Sequence, residues 1–469
     1  MEDKQDISRQ KRKSRWVMPD TYVILFLVLL VAYIATYIIP SGSFERENVD
    51  GVEKVIPDTY QSTDGNSLGF LDFFNAIQTG MVESADIIFL ILFTGGMFEI
   101  IERSGALKGV INQAVRLTRG NEFWLIASVS TIFALIGAVG AVANAVIAFV
   151  MVGVIIARAL KLDPIVAAAI TFGSNFVGFS VGFLNPYTVG IAQDIAGLPI
   201  FSGLLFRIII FILMLSLTIA YIWRYAKKII ENPELSIVGT YEATNETDSL
   251  NAPFTKRHQL ILIFVALCLS FFVYGSIQLE WTINHMSAFF VFIALGSGII
   301  AGMHYNTLAE TFLHGAKNLI YGALVVGLAR SVIVILEEAM IIDTIVYALS
   351  VPLENLIPVF SAIGMFISNS LLNFLVNSGS GQAMIAMPLL TPLADMIGVT
   401  RQVAVQSYQF GDGLTNLIFP TSGILMASLA VAKVPYTKWL KWVFPLFLVW
   451  LVIAIIALII GVLIQWGPM

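Results

Sequence analysis

Apolar runs of about twenty residues, the length that crosses a bilayer as a helix, alternate with short polar stretches along nearly the whole chain. The uninterrupted runs are 20–39, 84–103, 200–223, 258–276, 284–303, 316–337 and 438–465. Four further stretches are apolar but broken. Residues 122–160 and 356–398 each read as two short arms around a glycine-rich turn, and 164–197 and 402–433 each read as one helix interrupted near a proline. The interruptions recur in the same order in both halves: GAVGAVANAVIAF then FGSNFVGFSVGFLNPYTVG, and NFLVNSGSGQAMIAM then FGDGLTNLIFPTSG. Irregular backbone at membrane depth is tolerated only where it is buried in protein or lines a cavity. Paired interruptions in corresponding positions point to the substrate site of a transporter. The pattern therefore predicts an all-α polytopic membrane protein, built as an inverted repeat with two re-entrant hairpins and two unwound transmembrane helices.

Charge placement orients this plan. Residues 1–19 form a basic cytoplasmic tail, 20–223 the first repeat, 224–257 a polar cytoplasmic linker and 258–469 the second repeat. Arg116, Arg119, Arg158 and Lys161 bracket the first hairpin, and Lys433, Lys438 and Lys441 follow the second broken segment; loop cations on one side mark the cytoplasm. The predicted location is the cell inner membrane, with the N-terminus cytoplasmic. Residues 41–70 are expected as an outer loop. Asn144-Ala145 and Gln382-Ala383 are 238 positions apart, as are Phe172-Gly173 and Phe410-Gly411, whereas Gly80 and Gly315, like Glu102 and Glu337, are 235 apart. With 58% hydrophobic and 12% charged residues in 469, the chain lies outside soluble composition. The net charge of −5 sits in tails and loops and implies no nucleic-acid partner. One cysteine, Cys268, excludes an internal disulfide, and four histidines show no ligand pairing.

The candidate chemistry lies in the interruptions. Asn377, Ser378, Gly379, Ser380, Gly381 and Gln382 form a tip of neutral donors and acceptors on permissive backbone, able to face a cation with carbonyls and a carboxylate with amides. The first tip, Gly137, Gly140 and Asn144, is poorer in polar groups. Pro186 and Pro420 each remove a helical hydrogen bond. They free carbonyls beside Asn185, Tyr187 and Thr188 in one half and beside Thr421 and Ser422 in the other. Half-helix N-termini there suit a substrate carboxylate, and freed carbonyls suit Na⁺. Asp412 lies ten residues into the second broken segment, where an ionisable side chain marks a functional site. It suits a substrate amine, Na⁺ or a coupling proton. Its counterpart is Ser174 beside Asn175, and Asn175 and Asn416 are supporting polar residues. A Na⁺ site is expected near Asn144, Ser380 and Asp412. Arg330, two turns from Glu337 and too far for a simple local pair, reads as a cation between helices, with contact to a substrate carboxylate as the other reading. Asp194 and Arg207 are expected near the outer surface.

The stretch NSGSGQAMIAMPLLTPLAD with QFGDGLTNLIFPTSG after it resembles the DcuC/YfcC family of carriers in the ion transporter superfamily, over about residues 18–465. That resemblance implies a secondary carrier of elevator type, whose hairpins slide against a scaffold that forms a homodimer. It implies substrate and ion contacts at Asn144, Gly379 to Gln382, Asn185-Pro186 and Pro420-Thr421-Ser422. The family includes C4-dicarboxylate carriers and members assigned to amino acids, basic ones among them. No cofactor is expected beyond Na⁺ or H⁺ as coupling ion. Neither tip nor unwound stretch holds Lys or Arg, and Asp412 repels a dicarboxylate, so an amino acid fits the residues better. An intramembrane enzyme would need a nucleophile with its base or metal ligands, and no HExxH, GxSxG or paired histidines occur. A channel filter usually needs a ring of subunits.

Overall fold

A computed structural model describes residues 20–49, 52–56, 59–63, 68–106, 122–140, 146–239, 255–279, 281 and 283–467. The N-terminal tail, Arg116, Arg119, Asn144 and residues 240–254 of the linker lie outside the described residues. The chain is helical through its apolar runs. Among the described residues six helices have the length and composition to cross a membrane, or seven if the bent pair Phe70–Glu83 and Ala85–Arg103 is one span. Helices also cover the described parts of the four interrupted stretches. The hairpin arms are Glu122–Ala138 with Val146–Ala159, and Pro358–Leu375 with Gly379–Ile397.

Among the helices absent from the sequence reading are Phe70–Glu83 and Tyr305–Lys317. They are amphipathic, so hydropathy passes over them, yet Phe73, Ala76 and Gly80 recur at helical spacing and are buried. Their small residues let backbones meet. Gly80 packs on Ser331 and Gly327, and Gly315 packs on Gly95 and Glu99. Each amphipathic helix runs into an apolar one, Ala85–Arg103 or Ile320–Glu338, at the same spacing of 235 residues that relates Gly80 to Gly315.

The expected all-helical chain carries an exception in the 41–70 loop. Strand Gly42–Ser43 pairs antiparallel with Gln61–Ser62, and Arg46–Val49 with Val52–Val55. The loop is anchored to the short helix Ile342–Ser350. Arg46 Nη2 donates to both Asp343 carboxylate oxygens at 2.8 Å, and Tyr60 stacks on Tyr347 with ring centres 4.4 Å apart.

Two charged residues make contacts between helices. Arg207 is completely buried within the protein. Its Nε donates to Gln406 Oε1 at 2.7 Å, Nη1 to the Ser202 carbonyl at 2.7 Å and Nη2 to Gln402 Oε1 at 3.0 Å. Arg330 does reach Glu337, at 3.5 Å, because two extended side chains span the two turns; its shorter contact, 2.7 Å, is to Glu83 on a different helix.

Candidate functional site

The second hairpin tip is built by a helix start. Ser378, in extended backbone, caps Gly379–Ile397 and accepts from the Gly381 amide at 3.3 Å, so the first amides of a 19-residue helix face inward from the tip. Gly379 leaves no free room for a side chain unless its neighbours shift. A Cβ at this position would lie 2.7 Å from Thr188 Cγ2 and 2.8 Å from Asp412 Oδ2. The tip backbone is thus pressed on both broken helices at once. The Tyr408 hydroxyl donates to the Gly379 carbonyl, and Asn377 Nδ2 donates to Asn416 Oδ1 at 2.7 Å.

Each broken helix unwinds over a few residues. The first is helical to Val181, turns at Gly182 (φ 60°) and restarts at Pro186, with the Asn185 side chain accepting from the Tyr187 amide at 3.0 Å. The second is helical over Arg401–Thr415 and restarts at Gly423, capped by Ser422. Pro420 lies between. The freed Asp412 carbonyl does not stay free: Asn373 Nδ2 donates to it at 2.9 Å and Asn416 Nδ2 at 2.8 Å. The two breaks are tied together where Gln409 Nε2 donates to the Phe179 carbonyl and Gly413 packs on Ser180.

Between these elements and the helices Phe70–Glu83, Ala85–Arg103 and Ile320–Glu338 lies a cavity of about 380 Å³. Of the predicted residues, Tyr187, Thr188, Asn377, Ser378, Gly379, Ser380, Asp412, Asn416 and Thr421 line it. Asn175, Asn185, Pro186, Gly381, Gln382, Pro420 and Ser422 do not. They build its walls instead. Gln382 Nε2 donates to Asn369 O and Oδ1 at 2.9 and 3.0 Å, joining the hairpin arms, and Asn175 Nδ2 donates to the Phe133 carbonyl at 3.3 Å.

Three buried oxygens on the cavity wall have no hydrogen-bond partner: Asp412 Oδ2, Thr188 Oγ1 and Thr421 Oγ1. Burying such groups unpaired costs about 1–3 kcal/mol each. All three belong to residues that line one cavity, and a ligand with donors, or a cation, is what would satisfy them. The sequence reading missed the carboxylates of the opposite wall, Glu83 and Asp86, which stand there with Arg330. The signal was the acidic pair flanking Ser84-Ala85 at the start of an apolar run, where two helices meet at 57°. Among the lining residues three carboxylates face one guanidinium, and that guanidinium is already held by Glu83 and Glu337.

This chain is similar to several known proteins. YfcC of Escherichia coli K12, whose name assigns it provisionally to basic amino acid antiport, is 32% identical over 92% of this chain and 94% of its own. An uncharacterised Haemophilus influenzae protein is 29% identical over the same shares of the two chains. Among solved structures, MtrF of Neisseria gonorrhoeae aligns with TM-score 0.40 at 17% identity, covering 95% of each chain. YdaH of Alcanivorax borkumensis aligns with TM-score 0.42 at 16% identity, covering 96% of this chain and 100% of its own. The family described as DcuC, C4-dicarboxylate anaerobic carrier, matches residues 18–463. With the match running from before the first apolar helix to the end of the last, this multi-pass membrane protein belongs to the DcuC/YfcC family of transporters.

Proposed function

We propose that the protein is a secondary carrier of an amino acid, with the substrate amine on Asp412 and its carboxylate at the helix starts after Ser378 and Ser422. The observation that carries this reading is the unpartnered, buried Asp412 Oδ2 on a cavity wall beside those two N-termini. A carboxylate buried without a partner favours a cation, and helix N-termini favour an anion. An amino acid supplies both. The name of the Escherichia coli relative supports a basic amino acid. The family description favours a second reading, a C4-dicarboxylate, with Arg330 as the one cation among the described lining residues.

Coupling is to Na⁺ or H⁺, or by exchange, and Asp412, Ser380 and the Thr188 and Thr421 hydroxyls are the oxygens that suit Na⁺. The matched succession of an amphipathic and an apolar helix, 235 residues apart, supports an inverted repeat. With it comes an elevator mechanism in which both hairpins and both broken helices move against the remaining helices, as a homodimer in the inner membrane with a cytoplasmic N-terminus. The substrate is a small molecule and the other partner is the bilayer.

The test is uptake into proteoliposomes of labelled arginine, ornithine, a neutral amino acid, aspartate and fumarate, with and without a Na⁺ gradient. Amine-bearing uptake that fumarate does not compete, reduced about thirtyfold or more by Asp412→Asn, is expected, since losing one partner of a buried charge pair costs about 2 kcal/mol or more. Saturable fumarate uptake without amino-acid uptake would overturn the reading. Unchanged amino-acid uptake by Asp412→Asn would remove Asp412 from it.

A further inference from the structure

The cavity has two walls with different charges. One wall is the second hairpin tip and the broken helices, carrying Asp412. The other is the group of helices Phe70–Glu83, Ala85–Arg103 and Ile320–Glu338, held together by Gly80 on Ser331 and by the Arg330–Glu83 ion pair at 2.7 Å. That pair cancels Glu83 against Arg330. Two carboxylates then remain on the lining, Asp412 on one wall and Asp86 on the other. Asp86 stands in the first turn of its helix at the 57° bend and accepts only from the next amide, Ile87 N, at 2.8 Å. It has no ion-pair partner among the described residues.

We infer that Asp86 is a specificity residue that receives a second positive charge on the substrate, so that the preferred solute is an amino acid with a cationic side chain bridging Asp412 and Asp86. The inference rests on the amino-acid reading above. It also stands on the unpartnered oxygens of Asp412, Thr188 and Thr421, which mark the cavity as a ligand site independently of Asp86. A solute with one ammonium answers one of the two carboxylates and leaves the other uncompensated. A solute with an ammonium and a guanidinium, or two ammonium groups, answers both. Phe176, Phe179 and Tyr187 line the same space, and aromatic faces are suited to a guanidinium plane. The volume, about 380 Å³, is within the range of small-molecule sites. Because the two carboxylates belong to different helical groups, such a solute joins both walls, whereas a neutral amino acid engages the Asp412 wall alone.

Arginine and citrulline have nearly the same shape and differ in the side-chain charge, so they isolate this contribution. KM is measured for both in proteoliposomes of the wild type, Asp86→Asn and Asp86→Glu. The wild type is expected to prefer arginine. Asp86→Asn should lower the ratio of citrulline KM to arginine KM about tenfold, equivalent to about 1.4 kcal/mol, and Asp86→Glu should restore most of it. Where Asp86→Asn does not fold, Asp86→Ser carries the same test. A variant that weakens arginine and citrulline equally, or leaves the ratio as it was, would overturn the inference while leaving the amino-acid reading standing. A wild type that moves fumarate and neither amino acid would overturn both.

Discussion

Replacing Gly379 with alanine sets two effects against each other. By local propensity the change should help: Gly379 is the first residue of a helix and has no left-handed φ, and alanine outranks glycine in helices by up to about 1 kcal/mol. The tertiary geometry says the opposite. The new methyl would stand 2.7 Å from Thr188 Cγ2 and 2.8 Å from Asp412 Oδ2, when ordinary contact begins near 3.4 Å. Either the Asp412 carboxylate must rotate or the tip must withdraw by several tenths of an ångström. Overpacking of this kind costs about 1–3 kcal/mol. Paid at the site where substrate binds, that is roughly a 5- to 150-fold loss of apparent affinity. Gly381→Ala is the matched control, since its Cβ would meet nothing closer than Ser378 Oγ at 3.1 Å and Gly381 does not line the cavity. The assay is concentration-dependent uptake in proteoliposomes, with thermal unfolding in detergent as a check on folding. Gly379→Ala should unfold within a few degrees of the wild type while its KM rises at least fivefold, and Gly381→Ala should shift KM much less. Wild-type uptake by Gly379→Ala would refute the reasoning: it would mean that the tip is not pressed on Asp412 when substrate binds.

Other predictions concern the frame that holds the site. Trp450 is completely buried and its Nε1 donates to Thr218 Oγ1 at 3.0 Å. Trp450→Ala should destabilise by about 3–5 kcal/mol and Trp450→Phe by about 1 kcal/mol, read by chemical unfolding in micelles; equal losses would show that the ring's volume is not what matters. A Cβ on Gly178 would overlap the Ala134 carbonyl of the first hairpin arm and come within 2.5 Å of the Ala138 amide nitrogen. Gly178→Val should therefore abolish the monodisperse peak on size exclusion, and a variant that elutes and melts as the wild type would contradict that packing.

Much of this architecture was legible in the sequence because hydrocarbon imposes one rule on every segment: backbone groups must be satisfied within the segment or face a cavity. That is why the glycine-rich turn at 377–382, the prolines at 186 and 420, and Asp412 stand out without any coordinates. The amphipathic helices 70–83 and 305–317 were not legible by that rule, since their apolar faces are narrow and only packing against neighbours reveals them. Nor were the short strands of the 41–63 loop, which depend on anchors such as Asp343, about 300 residues away.

Within the candidate site the division is similar. The sequence by itself determined which residue types interrupt the helices and that one buried carboxylate stands among neutral donors. Those are local properties, readable from spacing and hydropathy. Only the tertiary structure decided that Gln382 joins two neighbouring helices while Thr188 and Thr421 line the cavity with hydroxyls that have no partner. It alone brought Glu83, Asp86 and Arg330 to face Asp412. Side-chain direction at an unwound backbone, and the meeting of residues more than 300 positions apart, follow from how helices pack, and no local pattern encodes them.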